Sequence, residues 1–416
     1  MTDDHSTMLP ARLSHPEMQL AGGLGMPAGG GPKPVLDFDF TTISTLDSRI
    51  SFSRASSATR VNANGHIETV AANRPRFNHD PVTLRPLGLL VEDQRTNMLL
   101  HSGQFTTSSW TKTRSAVIVT SAVSPAGTSD AAKIVEDGTA ADSHLISQSV
   151  TLSAGAYTRS VYLKPAGRQW ARLGFGGLAA AYFDLSAGTV GSVSGTGSLS
   201  ATIQAAGNGW YRASLSFTAT AGTVSISTGC ALGNGSDLYT GDGSSGLLLW
   251  GDQLEAGGFA TSYIPTAGAA VTRAMDLPVI PSAVAGPILA QGRGCITINS
   301  EFPRTMNGEI ICIDDGAGSN SLEIYRSSAT TLNIFAKADS IVVSDISSLP
   351  RTSDLIGVII MYDLDDYTVN FGSMGTRSGS VSGVQSLNTI RFGHYRSPGF
   401  AINGHIAKFV YSRASG

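Results

Sequence analysis

The chain has little charge, little cysteine and no long apolar run, and each shortage excludes a class of protein. Asp, Glu, Lys and Arg make up 14% of its 416 residues. Helices draw heavily on Glu, Lys, Leu and Ala, so this balance argues against a helical protein. A formal charge of −3 with scattered Lys and Arg leaves no basic footprint, so no nucleic-acid partner is expected. Three cysteines (Cys230, Cys295, Cys312) cannot build a disulfide framework. Cys295 and Cys312 could face each other across a hairpin, but buried thiols are the expectation. No apolar run approaches the ~18 residues of a membrane span, so no membrane insertion is expected. Met1 to His5 is acidic and no apolar stretch follows, so synthesis in a cytoplasm without a signal peptide is expected. Catalytic signatures are also scarce. The eight histidines make no two-His metal spacing. There is no Gly-x-Ser-x-Gly elbow and no phosphate-binding loop, so no enzyme is expected.

What is abundant is glycine, 48 copies, together with Ser and Thr. That mixture suits short strands joined by tight turns. The length is too great for one core. The expected fold class is all-β: two consecutive β-sandwich (jelly-roll-like) domains preceded by a small β-rich region and a flexible N-terminal tail. Residues 1–34, Gly- and Pro-rich from Ala21, read as a flexible anchoring tail. Residues 35–98 read as a small β-rich unit. Its arginines (Arg49, Arg54, Arg60, Arg74, Arg76, Arg85, Arg95) are expected to pair with nearby carboxylates. Residues 99–273 carry strand candidates about every ten residues, the pattern of a sandwich. Residues 274–292 contain Pro278, Pro281 and Pro287 and read as an extended linker or bridging strand. Residues 293–416 read as a second sandwich, with Cys295–Phe302 and Glu309–Ile313 as a hairpin.

Leu247 to Leu254 reads as a core strand that carries Asp252 towards its rim. Asp237 and Asp242 sit in the oxygen-rich stretch Asp237 to Ser245. A structural calcium ion held by Asp237 or Asp242 is the metal expectation from these residues. Sugar binding needs aromatic platforms beside hydrogen-bonding groups. Trp170, flanked by polar residues, is the least core-like tryptophan. With Arg172, Tyr182 and Tyr239 it forms one candidate glycan set, and Tyr325, Tyr395 and Arg396 form another. Asp363-Leu-Asp-Asp366 is the densest acidic cluster. It reads as a solvated turn, and as the place for catalytic carboxylates if the protein cuts polysaccharide.

Several longer motifs carry a resemblance: Phe52-Ser-Arg-Ala-Ser-Ser-Ala-Thr-Arg60, Gly88-Leu-Leu-Val-Glu-Asp-Gln-Arg-Thr-Asn97, Tyr157-Thr-Arg-Ser-Val-Tyr-Leu-Lys164, Gly207-Asn-Gly-Trp-Tyr-Arg212, Leu249-Trp-Gly-Asp-Gln-Leu-Glu-Ala-Gly257 and Thr261-Ser-Tyr-Ile-Pro-Thr266. Across residues 37–275 the chain resembles the head-spike and tail-fibre proteins of tailed phages and gene transfer agents, with a jelly roll like a carbohydrate-binding module. From Gly294 to Tyr411 it looks like a laminin-G or concanavalin-like sandwich. The resemblance implies a place on a virion surface, with residues 1–98 towards other virion proteins. It also implies binding to bacterial capsular or other surface polysaccharide, in a homo-oligomer for which a trimer is favoured and a pentamer is the alternative. Related jelly rolls hold calcium between the first and last strands, which implies Asp252 on the last strand as a calcium ligand. Here the first-strand turn, Ser102-Gly-Gln-Phe105, lacks the usual carboxylate. A polysaccharide depolymerase and a purely structural capsid or collar part are the alternative readings.

Overall fold

A computed structural model describes residues 34–301, 308–328, 331–338, 341–350, 355–363, 366–370, 376–380, 386–396 and 400–413. The expected anchoring tail, residues 1–33, lies outside them, as does Asp365. The described chain is nearly all strand, and its one helix among these residues is Ser282–Leu289.

The strands between Thr111 and Ala256 form two six-stranded antiparallel sheets. One runs, in spatial order, Ser200–Ala205, Tyr211–Ala219, Gly155–Ala166, Gly246–Ala256, Ala132–Glu136 and Ser115–Val119. The other runs Thr189–Gly195, Ala179–Asp184, Trp170–Phe175, Gly222–Ala231, Leu145–Leu152 and Thr111–Thr113. Alternation decides what each strand buries. Ala171, Leu173 and Phe175 turn into the core with Ile226, Val161 and Leu249, while Trp170, Arg172 and Gly174 turn outward. Gly155–Ala166 and Gly246–Ala256 are buried on both faces. Their second face packs Tyr162 and Trp250 against Trp210 and Tyr263, with Ile67 of the Ile67–Val70 strand behind. Trp110, Trp210 and Trp250 are core residues, as expected, and Trp170 is half-buried.

The second sandwich differs from the expected plan. Residues 35–98 do not stand apart: four of their strands, Pro34–Asp39, Ser51–Ser53, Arg76–His79 and Pro86–Val91, complete the sheets of the C-terminal region, while Ala58–Val61 and Ile67–Val70 pair with each other. Pro34–Asp39 pairs with Gly404–Ser412, placing Asp37 opposite Val410. Pro86–Val91 pairs with the same strand, Leu90 opposite His405. Ser51–Ser53 pairs with Leu277–Ile280 in the facing sheet. One core contains Leu36, Phe38, Phe77 and Val91 together with Ile298, Ile324, Ile360 and Phe409. The sandwich of Thr111 to Ala256 is therefore inserted into a sandwich built from both ends of the chain. The incoming Arg95–Asn97 and outgoing Val271–Arg273 strands pair with each other at the neck.

Two further expectations change. Of the two readings of residues 274–292, the bridging strand holds for Leu277–Ile280, which joins two sheet strands, but Ser282–Leu289 is an unexpected helix that buries Ala285, Ile288 and Leu289. Arg293–Glu301 and Gly308–Asp314 belong to different sheets and form no hairpin, which separates Cys295 from Cys312, and both are free thiols.

Candidate functional site on the outer sheet face

Strand register brings three of the expected glycan residues together. Arg172 lies directly opposite Tyr182 on one side and Gly229 on the other. Trp170 lies opposite Asp184 two residues along. Residues directly opposite in an antiparallel pair share a face, so Trp170, Arg172 and Tyr182 all point away from the core. The same face continues through Ser227, opposite Gly174, and Ser147, opposite Ser227. It forms a hollow of about 320 Å³ walled by Arg172, Ser147, Ser225, Ser227 and Thr113 over a floor that includes Gly174.

Asp237, read from the sequence as a metal candidate, belongs to this face in another role. Its Oδ1 accepts a 2.7 Å hydrogen bond from the Tyr182 hydroxyl. Its Oδ2 stands 3.3 Å from Arg172 Nε. Burial, then the Asp237 carboxylate, raise the Tyr182 pKa, and Arg172 opposes them. The Arg172 Nε carries no hydrogen bond but stands in an ion pair with Asp237. The arginine is therefore oriented by the Asp237 charge at its Nε edge. Gly174 keeps the Nη edge open, since a Cβ there would come within 2.7 Å of Arg172 Nη1 and 2.8 Å of Ser227 Oγ.

The face is braced from inside. Arg159, fully buried between the two sheets, donates to Asp252 Oδ1 at 2.9 Å and to Asp252 Oδ2 at 2.5 Å. Its Nη1 also reaches the Ser227 carbonyl and its Nη2 the Thr228 hydroxyl, both at 2.5 Å. Ser227 is thus fixed by a core ion pair directly beneath the hollow.

Asp252 is therefore not a rim metal ligand, because both its oxygens are taken by a guanidinium in the core. Asp242 closes its own turn, held below the usual carboxylate range chiefly by Ser245, with Arg168 at 3.2 Å. Among the described residues no group of three or more His, Cys, Asp or Glu side chains is arranged to hold a metal ion. Tyr239 is not a platform. It is buried against His144, and its hydroxyl donates to Glu136 at 2.6 Å. Tyr325, Tyr395 and Arg396 belong to the other sandwich. Tyr325 faces Glu309 and Asn333 across its sheet, and Arg396 donates to the Ala317 carbonyl. The backbone of Asp363 and Asp366 forms the end of a strand pair.

The motifs that suggested a family turn out to build architecture. Glu92 accepts from Arg76 and Arg273, and Asp276 from Arg54 and Arg76, all buried. Asn97 donates to the carbonyls of Asp252 and Ile264 and accepts from Leu254 N–H. Glu255 accepts from Thr261, and Gln253 from Ile264 N–H. A larger hollow of about 610 Å³ lies along this seam. Its charges are mostly spent internally: Arg60 on Glu68, Glu301 on Arg85, and Arg212 on the Tyr162 ring and the Thr261 carbonyl.

Comparison with protein families finds no match to this chain. Comparison with curated proteins likewise finds no match. Among solved structures the chain is similar to the LG1–3 region of the laminin alpha2 chain, at 9% identity and TM-score 0.24, over 64% of this chain and 63% of that one. It is also similar to domains LG4–5 of the mouse laminin alpha1 chain, at 10% identity and TM-score 0.22, over 66% of this chain and 85% of that one. The chain thus spans less than two thirds of the laminin alpha2 structure. Likeness this low carries no argument about function, and the all-β fold rests on the strand pairings themselves. Among the described residues no helix is long and apolar enough to cross a membrane.

Proposed function

We propose that the protein is a non-enzymatic binding module that takes bacterial surface polysaccharide on the outer face carrying Trp170, Arg172 and Tyr182. The observation that carries this reading is their convergence on one exposed sheet face beside a hydroxyl-lined hollow. An indole offers the apolar face of a pyranose a flat partner, while guanidinium and hydroxyl donors on the face meet the sugar hydroxyls. The sequence motifs extend the reading to a spike or fibre on a tailed-phage virion or gene transfer agent, joined to other virion proteins through residues 1–98. A homotrimer is favoured there and a pentamer is the alternative. Such an assembly makes weak single sites sufficient, because linked sites bind with avidity. A structural calcium ion is not needed for the face, whose Asp237 is occupied by Tyr182 and Arg172.

The test is affinity electrophoresis of the purified full-length protein through gels containing host capsular polysaccharide. Retardation that is lost in Trp170→Ala, with melting unchanged, is expected. Equal mobility with and without polysaccharide, for every host glycan fraction, would contradict the proposal.

A further inference from the structure

The hollow beside Arg172 has an unusual charge pattern. Among the described residues Arg172 is the one charged side chain on its wall, and the rest is Ser, Thr, Gly, Leu and Phe. Two carboxylates lie nearby, and neither lines the hollow. Asp237 sits at the Nε edge of Arg172 and accepts from Tyr182. Asp184 lies one side-chain row away, opposite Trp170, and is capped by Ser186 and Ala187. Rows on one face of a strand are about 6.6 Å apart, and the hollow extends the other way, towards Gly174 and Gly177. One cation, paired with Asp237 at its Nε edge, therefore turns its Nη edge towards a space lined by hydroxyls.

We infer that this hollow takes the carboxylate of an acidic sugar unit, so that the polysaccharide recognised is a uronate-type polymer. The inference rests on the glycan-binding reading above and narrows it to a substrate class. A planar guanidinium matches a planar carboxylate through two parallel N–H···O bonds. Asp237 holds the Nε side and leaves the Nη side for such a pair. Ser147, Ser225 and Ser227 supply donors and acceptors for ring hydroxyls around it. Gly174 keeps the Nη edge accessible, since a Cβ there would push against Arg172 Nη1 and Ser227 Oγ.

The experiment compares the full-length protein binding three probes in calorimetric titration: polygalacturonate, the same polymer after carboxyl reduction, and dextran sulfate. The expected result is tighter binding to polygalacturonate than to either other probe, by about tenfold or more. Arg172→Gln should abolish that preference with its melting temperature unchanged, and Arg172→Lys should restore only part of it, since an ammonium lacks the fork. Equal affinity for the native and carboxyl-reduced polymers would overturn the inference. So would dextran sulfate binding as tightly as polygalacturonate, because charge alone would then suffice. If both forms bind equally and Trp170→Ala abolishes both, the glycan-binding reading stands and only the acidic assignment falls. If none of the probes and no host glycan binds, both fall.

Discussion

Asp276 receives Arg54 on one carboxylate oxygen at 2.9 Å and Arg76 on the other, across 222 and 200 residues of chain. All three side chains are fully buried. The contact joins the region before the inserted sandwich to the strand after it. With Glu92 and Arg273 it forms a charge cluster at the neck from which both sandwiches extend.

Removing one side of such a cluster leaves the other charged and dry. Asp276→Ala should therefore destabilise the protein by about 3–5 kcal/mol, since Arg54 and Arg76 lose their carboxylate in the interior. Thermal melting and limited proteolysis would read the loss. A melting temperature within a degree or two of wild type would contradict this account of the neck.

The Arg159–Asp252 pair makes a different prediction. Each single change, Arg159→Met or Asp252→Leu, leaves an unpaired buried charge and should cost several kcal/mol. The double variant replaces the pair with apolar groups and should recover most of that loss, as a double-mutant cycle would show. It would still lack the brace on the Ser227 carbonyl, so its glycan affinity should fall although its stability returns.

The sandwich of 99–273 is legible in the sequence because its strands announce themselves locally. Leu145–Leu152, Gly155–Ala166, Trp170–Phe175 and Ala179–Asp184 follow one another at about the expected spacing of ten residues. Alternation alone also places Trp170 and Arg172 on one face. Pairing is not local. Nothing in Val35–Phe40 says that its partner lies beyond residue 404, so the region 35–98 reads as a unit of its own. The same limit hides the environments of Asp252 and Tyr239. Each looks exposed from its neighbours in sequence, and each is closed off by residues from other strands: Arg159 in one case, Glu136 and His144 in the other. Ser147, Ser225 and Ser227 escape a search for aromatic and charged groups. Their signal is nonetheless present, since Ser and Thr alternate with apolar residues in both Leu145–Leu152 and Gly222–Ala231.

Chelation should leave the protein unchanged. With Asp252 paired to Arg159 and Asp237 engaged by Tyr182 and Arg172, calcium has no open carboxylate set at these positions. The melting temperature in EDTA should equal that in millimolar calcium. A calcium-dependent rise of several degrees would contradict this reading of the three aspartates.

Acid should weaken the fold through His405. Burial first of all, with Glu301 and Glu92 opposing and Arg76 and Arg85 assisting, pushes its pKa from 6.5 down to about 4. The unfolded chain then binds a proton between those values that the folded chain refuses. Stability contributed by the neutral ring is present above about pH 6.5 and lost as the pH falls towards 4. Glu92, also depressed, adds to the loss at lower pH. Denaturation midpoints measured between pH 7 and 4 should fall in wild type and fall less in His405→Gln. Parallel curves for the two proteins would remove His405 as a cause.

The most direct test of the central claim is a structure of the full-length protein with a bound oligosaccharide of host surface polysaccharide. The account predicts sugar over the outer face, with a ring against Trp170 and a substituent at Arg172 above Ser147 and Ser227. Sugar found only along the seam near Arg212, or only on the other sandwich near Tyr395, would contradict it.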